Sequence, residues 1–419
     1  MNTFDKIIGY RSIKNELEIL ADMMKNSEKY TKLGVKLPRG ILLYGEPGVG
    51  KTLMASCLIE TSGRKTVTLR KNLTNGDFVK EIKSTFEEAK NNAPSIVFLD
   101  DMDKFANTDK DNSNDSAYVA VQTCMDDIYE YDVFVVATAN NKNYLPESLT
   151  REGRLGRAIE VYNPKGNDAV EIIRHYLSTK ECVKDINVED IAKMLNGNSC
   201  AELESIINEA GIYAGSQGKE KIDMTDVMRG IMRIKFSAPE SVDEIPQSVL
   251  LSTAYHEAGH TVVAEYLSPK SVGIVTVLGH EGKVKGFTDY YQDERYWDDK
   301  TYMENRVMAI LGGKAATELV YGKTDVGANS DLGRAYGVVE RFVDDYCSYS
   351  FDSFERVNSS SDLAARKDAR IAYDIEKYYA QTKRILVENR AFLDALAKTL
   401  VEKKTLLSSD IQAIKASVA

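Results

Sequence analysis

The feature of this sequence that most constrains its fold is a glycine-rich run joining a short apolar segment to a helical pattern. Gly40–Tyr44 predicts a strand, residues 45–52 read GEPGVGKT, and a helix is predicted from Lys51. The spacing G-x-x-x-x-G-K-[ST] lets backbone N–H groups turn inward around phosphate oxygens, and the start of the helix favours an anion. Lys51 then reaches the outer phosphates, and the Thr52 hydroxyl ligates magnesium. The run therefore predicts a site for a nucleoside triphosphate and Mg²⁺.

Two further apolar segments place this turn in a parallel sheet. Ser95–Leu99 and residues 133–138 are apolar except for one terminal hydroxyl residue each and are separated by helical patterns. Strands that are apolar on both faces are typical of a parallel sheet covered by helices on both sides. Asp100 and Asp101 follow directly after the first of these strands. We expect Asp100 to hold magnesium and Asp101 to polarise the attacking water.

Composition excludes several classes of protein. The 419 residues suit two to four domains, and the net charge of −10 disfavours a general duplex-binding surface. The five cysteines form no C-x-x-C pair, which fits a reducing compartment and excludes a cysteine metal knuckle or a disulfide scaffold. No apolar run reaches the length of a transmembrane helix.

A second motif predicts a metal site. Residues 256–260 read HEAGH, so two of the four histidines are four positions apart. On a helix His256 and His260 share a face and can bind one zinc ion, while Glu257 lies beside it as a general base. The alternative is a pair of packed histidines on a buried helix. Catalytic zinc usually has three protein ligands and a water, and neither His175 nor His280 fits, so a carboxylate must complete the set.

Together these motifs resemble the FtsH-type AAA+ zinc proteases, over residues 3–414. Residues 4–9, FDKIIG, resemble the segment that lies against adenine, and His175 matches a position near adenine in the helical lid. The resemblance implies that ATP with Mg²⁺ is bound by Ile8, Gly9, Pro47, Gly48, Val49, Gly50, Lys51, Thr52, Leu53, Asp100 and His175.

The resemblance also assigns the groups that act on ATP. Asn140 corresponds to the sensor that orients the attacking water, beside Asp101. Residues 151–157, REGRLGR, resemble R-P-G-R-F-D-R. This implies that Arg154 and Arg157 are arginine fingers that reach the γ-phosphate of a neighbouring subunit, and hence that the chain forms a homo-oligomer, a hexamer.

In the peptidase part, residues 252–260 read STAYHEAGH, and residues 326–332, VGANSDL, resemble the family's T-G-A-S-N-D-L. The resemblance implies that Asp331 is the third zinc ligand after His256 and His260; the alternative is a helix N-cap aspartate. Gly286, Phe287 and Thr288 resemble the strand edge that pairs with the substrate backbone.

The sequence departs from the family in four places that matter, one of which lies in residues 151–157, where Glu152 and Gly156 replace the family's Pro and Asp. Asp101 replaces the usual glutamate and is one methylene shorter, so we expect slow ATP hydrolysis with binding intact. The aromatic that grips substrate is missing, because the family's F-V-G aligns with residues 74–76, TNG; Phe78 and Leu73 are the alternatives. Family members typically carry membrane helices ahead of the ATPase module, and this chain begins at the module. We expect a cytoplasmic location as given, or the cytoplasmic face of a membrane if an anchor precedes it.

We predict a multidomain protein with an α/β P-loop AAA+ core, an α-helical lid and a mostly α-helical zinc metallopeptidase domain. The predicted boundaries are 1–162 for the core, 163–234 for the lid, 235–247 for a linker and 248–419 for the peptidase. Helical patterns occur at 168–177, 188–195 and 201–214, and 374–399 reads as one long helix or a helix pair.

The predicted function is that of an ATP-dependent zinc endopeptidase acting on unfolded or loosely folded proteins, with no nucleic acid partner. The alternative is an ATP-dependent remodeller or chaperone with weak or absent peptidase activity.

Overall fold

The computed structural model describes residues 2–71, 75–105, 114–183, 186–235, 246–278, 286–291, 299–323, 328–346 and 360–418. The chain divides into two compact units. The first comprises Met1–Lys184, Gly197–Asn208 and Glu220–Ile222, and the second comprises Asp185–Asn196, Glu209–Lys219 and Asp223–Ala419. Residues 163–234, the predicted lid, are thus distributed over both units, and the predicted domain boundaries remain predictions.

The first unit is built on a five-stranded sheet in which every pair of neighbours is parallel, in the order β2-β3-β4-β1-β5. The strands are β1 (Gly40–Tyr44), β2 (Lys65–Leu69), β3 (Ser95–Leu99), β4 (Val133–Ala139) and β5 (Arg157–Glu160). The predicted strand at 40–44, the one at 95–99 and the one from Val133 are confirmed. All residues of β3 and β4 are buried, as expected of central strands covered on both faces.

Helices connect and cover these strands. They are α1 (Arg11–Lys25), α2 (Ser27–Thr31), α3 (Lys51–Ser62), α4 (Asn75–Asn91), α5 (Asn114–Asp127) and α6 (Gly166–Ser178), with short 3₁₀ turns at Thr3–Lys6, Met102–Phe105, Lys142–Tyr144 and Glu147–Leu149. On one face of the sheet, Phe78 and Phe86 of α4 and Val121 of α5 pack with Val97 and Val135. The turn before α3 therefore lies at the carboxyl end of a rigid, buried strand.

Three helices follow, α7 (Val188–Met194), α8 (Cys200–Ser216) and α9 (Met224–Lys235). The helices predicted at 168–177, 188–195 and 201–214 correspond to α6, α7 and α8. Helix α9 ends at Lys235 and the next helix begins at Gln247. Most of the predicted linker, residues 236–245, lies outside the described residues.

The second unit is centred on two long helices, α10 (Gln247–Leu267) and α11 (Lys300–Tyr321), which cross at closely packed glycines. The helices that follow them are α12 (Asn329–Asp344), α13 (Ser361–Glu388), α14 (Arg390–Lys403) and α15 (Ser408–Val418). A Cβ added at Gly259 of α10 would lie 2.3 Å from the carbonyl oxygen of Gly312 in α11. Only residues without a side chain permit this approach, which brings the backbone of α11 close to the HEAGH segment.

A small antiparallel sheet completes this unit, in the order β7-β6-β8. Its strands are β6 (Val272–Thr276), β7 (Phe287–Tyr290) and β8 (Thr405–Leu407). Strand β7 lies at one edge and contains two of the three predicted substrate-pairing residues, Phe287 and Thr288, whereas Gly286 precedes it. The segment 374–399 is a helix pair that breaks at Asn389, between α13 and α14. No helix among the described residues combines the length and the apolar character needed to span a membrane.

Candidate active sites

The first unit contains a cavity of about 750 Å³ at the carboxyl ends of β1, β3 and β4. Most of the predicted nucleotide-site residues line it: Ile8, Pro47, Gly48, Val49, Gly50, Lys51, Thr52, Leu53, Asp101, Asn140 and His175. Gly9 and Asp100 do not line the cavity, although Asp100 contacts the lining residue Thr52. Gly48 and Gly50 have φ values of 82° and 98°, a conformation that glycine adopts without strain and that bends the loop around the cavity. The cavity therefore has the loop geometry that a phosphate chain requires.

Lys51 is held at the centre of this loop. Its Nζ donates to the carbonyl oxygens of Gly45 and Glu46, each at 2.8 Å, and to Oδ1 of Asn140 at 3.0 Å. Burial lowers the pKa of the Lys51 ammonium, and nearby aspartates oppose that shift. The predicted phosphate-binding lysine and the predicted sensor are thus already in contact.

Asp103, which the motif comparison did not single out, positions Asn140. The backbone N–H and the side-chain amide of Asn140 each donate to the Asp103 carboxylate at 3.1 Å. The side-chain amide orientation of Asn140 follows, because its oxygen faces Lys51 and its nitrogen faces Asp103. The only available signal was an acidic residue three positions after Asp100.

The two adjacent aspartates after β3 differ in environment. Asp100 is 1% exposed, and its Oδ1 accepts from the hydroxyls of Thr138 at 2.7 Å and Thr52 at 3.3 Å. Asp101 has a φ of 54°, and its Oδ2 accepts from Lys104 Nζ at 2.6 Å. The hydroxyl of Thr52 beside the carboxylate of Asp100 is the hard oxygen donor set that Mg²⁺ prefers, so these residues fit the metal.

The two predicted arginine fingers lie away from this cavity and have different environments. Arg154 is 7% exposed and grips Asp126 with Nε at 3.0 Å and a terminal nitrogen at 2.7 Å. Its other terminal nitrogen donates to the carbonyl of Ser148 at 2.7 Å. Arg157 is half-buried at the start of β5 and pairs with Glu16 at 2.8 Å. Arg157 is therefore the more accessible of the two to a neighbouring molecule.

In the second unit, His256, His260 and Asp331 converge into one cluster. Nε2 of His256 lies 3.0 Å from Oδ2 of Asp331 and 3.1 Å from Nε2 of His260, and the His260–Asp331 distance is 3.3 Å. Ligand atoms bound at about 2.0–2.2 Å from a tetrahedral zinc ion lie roughly 3.3–3.5 Å apart. The donor set of two imidazoles and a carboxylate, at these separations, fits zinc.

Contacts behind the cluster fix its ligand atoms. Nδ1 of His260 lies 2.8 Å from the carbonyl oxygen of Ala309; a hydrogen bond there directs Nε2 toward the metal position. Burial raises the pKa of Asp331, but hydrogen bonds to His256, His260 and the Arg334 guanidinium outweigh it, so the net pKa of this carboxyl is lowered. Asp331 is therefore ionised, as a metal ligand must be.

Glu257 is buried beside the cluster, with 5% of its surface exposed. Its Oε2 accepts a hydrogen bond from the hydroxyl of Thr288 on β7 at 2.9 Å. Burial raises the pKa of the Glu257 carboxyl, while the charges of the two histidines oppose the shift. A carboxyl with a raised pKa is suited to accept and release a proton near neutral pH.

Comparisons with known proteins match the chain in three parts. The model of the "ATPase family associated with various cellular activities (AAA)" matches residues 41–163, that of the AAA+ lid domain 185–229, and that of peptidase family M41 245–414. An "ATP-dependent zinc metalloprotease FtsH 2" of Thermoanaerobacter sp. (strain X514) is 28% identical, covering 98% of this chain and 82% of the relative. An "ATP-dependent zinc metalloprotease FtsH" of Parabacteroides distasonis is 30% identical, covering 98% and 64%. The chain belongs to the FtsH-type family of AAA+ zinc metalloproteases.

Within this family framework, several residues that line the nucleotide cavity were not assigned to it from the motifs, although residues 198–203 resemble the turn and helix start of the family's lid. Ile172 and Tyr176 of α6 and Cys200, Ala201 and Glu204 of α8 also line the cavity, and the start of α8 contacts the phosphate loop, because the Ala201 N–H donates to the Gly48 carbonyl oxygen at 3.0 Å. No charge pattern or spacing marks them, because they contribute surface and not a catalytic group. The hydroxyl of Tyr10 fixes this side by donating to the carbonyl of Tyr162 at 2.8 Å.

The structure also bears on the missing aromatic residue that grips substrate in the family, for which Phe78 and Leu73 are the alternatives. Phe78 is 1% exposed and stacks edge-on against Phe105, with ring centroids 4.9 Å apart. A side chain in this position is part of the core and is not presented to a substrate. Leu73, the other alternative, and His280 lie outside the described residues.

Proposed function

We propose that this chain is an ATP-dependent zinc endopeptidase that uses ATP hydrolysis to feed unfolded or loosely folded protein to its zinc site. The observation that carries the proposal is the cluster of His256, His260 and Asp331 with Glu257 beside it, in a chain that also carries a complete phosphate loop. The proposed parts are an AAA+ core over residues 1–162, a lid over 163–234 and a peptidase domain over 248–419.

In the peptidase reaction, His256, His260 and Asp331 would hold zinc, which when bound would lower the pKa of water and polarise the substrate carbonyl. Glu257 is the base that would accept the proton of the attacking water and pass it to the leaving amine. The Thr288 hydroxyl keeps the Glu257 carboxylate turned toward the reaction. The exposed edge of β7 pairs with the extended backbone of the substrate, as edge strands do.

In the ATPase reaction, Lys51 binds the outer phosphates, and Thr52 and Asp100 would hold magnesium. Asp101 polarises the attacking water and Asn140 orients it. Because the Asp101 side chain is one methylene shorter than glutamate, we expect slow turnover. Asp101→Glu is then expected to raise ATP turnover, measured as phosphate release; unchanged turnover would exclude the short side chain as the cause.

The remaining elements of the proposal concern partners and location. Arginine fingers act on a neighbouring subunit's nucleotide, so the proposed active form is a homo-oligomer, a hexamer. The net charge of −10 supports protein substrates over nucleic acid. Cysteines without close pairing support a reducing compartment such as the cytoplasm.

The alternative, a remodeller with a decayed peptidase, is motivated by Asp101 and by the missing aromatic residue that grips substrate. The compact ligand cluster weighs against this alternative. A decayed site would not be expected to retain three ligand atoms at the mutual distances that zinc requires, with a buried general base beside them. The peptidase is therefore the better-supported function.

The test is casein degradation by the full chain with ATP and zinc. Glu257→Gln is expected to abolish cleavage and retain ATP hydrolysis and zinc. Lys51→Ala is expected to abolish ATP hydrolysis and to reduce cleavage of folded substrate more than of casein. Equal absence of cleavage in the wild type and in both variants, with zinc confirmed bound, would overturn the peptidase assignment in favour of the remodeller.

A further inference from the structure

Arg70 lies directly on the carboxylate of Asp100. The residues Leu69 and Leu99 are partners in the parallel pair of β2 and β3, so the next residues on each strand emerge side by side. Arg70 Nε donates to Oδ2 of Asp100 at 2.6 Å, and a terminal guanidinium nitrogen contacts the same oxygen. The arginine side chain is 59% exposed, whereas that of Asp100 is 1% exposed. The charge that balances the buried carboxylate therefore comes from the protein itself.

This pairing occupies the position in which a P-loop ATPase needs a metal. Both oxygens of Asp100 are engaged, Oδ1 by the hydroxyls of Thr138 and Thr52 and Oδ2 by Arg70. Magnesium in such sites is held by the loop Ser/Thr and by this aspartate, frequently through water. A guanidinium on Oδ2 occupies an acceptor to which water in the metal's hydration shell would otherwise donate. It also places a positive charge next to the ion.

We propose that Arg70 is a built-in counter-ion of Asp100 that competes with Mg²⁺, so that ATP binding by this chain depends weakly on magnesium. Without the metal, Arg70 prevents Asp100 from repelling the triphosphate. With the metal, Arg70 either moves toward solvent or remains and weakens metal binding. The inference rests on the ATP site of the proposed function and makes Arg70 a positioning residue, since it acts through Asp100.

The expected size of the effect follows from the exposure of the arginine. A unit charge a few ångströms from the ion at a partly solvated site changes ion affinity by about tenfold once screening is included. The quantity that reports it is the ratio of the nucleotide dissociation constant without Mg²⁺ to that with saturating Mg²⁺. Removing Arg70 is expected to raise this ratio by about tenfold, weakening magnesium-free binding and strengthening magnesium-dependent binding.

The experiment is a titration of the full chain with the fluorescent analogue mant-ATP, in magnesium-free buffer and at saturating Mg²⁺. Wild type is compared with Arg70→Gln. The matched control is Arg11→Gln, which removes one positive charge from a surface pair with Glu171 at 2.6 Å, outside the cavity lining. We expect the ratio to rise in Arg70→Gln and to stay unchanged in Arg11→Gln. An unchanged ratio in Arg70→Gln, or an equal rise in the control, would overturn the proposal.

A second variant decides the matter if Arg70→Gln fails to fold. Arg70→Lys keeps the charge but loses the planar fork that grips one carboxylate oxygen, and we expect the ratio to rise by about threefold. No rise would equally contradict the proposal. Because the readout is binding, wild type that binds no mant-ATP under either condition refutes the ATP site itself, whereas binding with unchanged ratios refutes only the role of Arg70.

Discussion

At the residue scale, Gly313 determines how closely α11 approaches the zinc ligands. A Cβ added there would lie 2.5 Å from Nε2 of His260 and 2.6 Å from Nε2 of His256. These are the nitrogens proposed to hold the metal, so an added methyl group is expected to displace them. We expect Gly313→Ala to lower zinc affinity by about 10- to 100-fold, as observed when groups that orient metal ligands are altered.

Zinc content of the purified variant, measured by atomic emission, checks this prediction. The matched control is Gly337→Ala on α12, where an added Cβ meets no atom within 4 Å. The control is expected to keep zinc. A full complement of zinc in Gly313→Ala would mean that the ligands tolerate the added methyl group.

Thr288 provides a second prediction at this scale. Its hydroxyl is the hydrogen-bond donor to Oε2 of Glu257, so Thr288→Val keeps the shape of β7 and loses the orientation of the base. We expect kcat to fall by about tenfold, less than the roughly 10²- to 10⁴-fold that a general base contributes as a whole, because the base is misoriented and not removed, with KM little changed. Thr288→Ser retains a hydroxyl and is expected to recover most of the rate. A rise in KM with unchanged kcat would assign Thr288 to substrate binding. A serine variant as slow as the valine variant would assign Thr288 to strand packing.

How far individual residues can be predicted from the sequence depends on whether their spacing is local. His256 and His260 could be predicted as a ligand pair, because four positions on one helix fix their separation. Asp331 required a resemblance, since α12 is remote in the sequence. Thr288 and Arg70 could not be assigned these contacts, because each depends on the pairing of a strand with another element.

At the element scale, Glu318 joins α11 to α13. Its carboxylate accepts from Lys383 Nζ at 2.8 Å and from Lys314 Nζ at 3.3 Å, and Tyr379 also donates to it. The pKa of Glu318 is lowered from 4.5 to about 2, with the hydrogen bond from Lys383 as the largest cause and the hydrogen bond from Tyr379 as the second. A carboxyl with a lowered pKa in the folded state stabilises the fold above its unfolded pKa, and this stability is lost as the pH falls toward the folded value.

We therefore expect Glu318→Gln to lower the free energy of unfolding by about 1 kcal/mol at neutral pH, after allowance for solvent screening. The difference from wild type should shrink as the pH falls from about 4.5 toward about 2. Urea unfolding across this pH range measures it. Glu376→Gln, on the exposed face of α13, is the control and should show no such trend. A difference that is constant with pH would exclude the ionised carboxylate as its source.

Elements were predicted best where burial is continuous. The strand at Gly40–Tyr44 and the one at Ser95–Leu99 could be bounded from sequence, since each is a mostly apolar run that ends at a turn or a charge. The break at Asn389 could not, because the amphipathic pattern continues from α13 into α14. What changes there is the direction of the chain as α14 packs on α10.

At the scale of the whole molecule, the order of ATPase, lid and peptidase could be predicted, since each motif requires its own structural context. The limits of the compact units could not. Helix α8 is divided between them, because a helical pattern shows which face is buried but not which neighbour buries it. The proposed assembly leads to a prediction at this scale, since its arginine fingers act between chains.

Arg157 is the accessible candidate for that role, whereas Arg154 is bound to Asp126 within its own chain. We expect Arg157→Ala alone to reduce ATP turnover by roughly 10³-fold or more, as for other arginine fingers, while nucleotide binding persists. Lys51→Ala is inactive for a different reason, since it cannot use nucleotide but still presents Arg157. If the arginine acts on a neighbour's nucleotide, the two inactive variants complement each other when they assemble together.

In a closed ring of head-to-tail contacts, a random one-to-one mixture places an intact arginine beside an intact nucleotide site at about a quarter of the interfaces. We therefore expect the mixture to regain about a quarter of wild-type ATP turnover, measured as phosphate release after co-assembly. The control mixes Lys51→Ala with the double variant Lys51→Ala, Arg157→Ala, in which no interface is complete and no gain is expected. A first mixture no more active than its components, with co-assembly verified, would show that Arg157 acts within its own chain or not at all, and the search for the finger would return to Arg154.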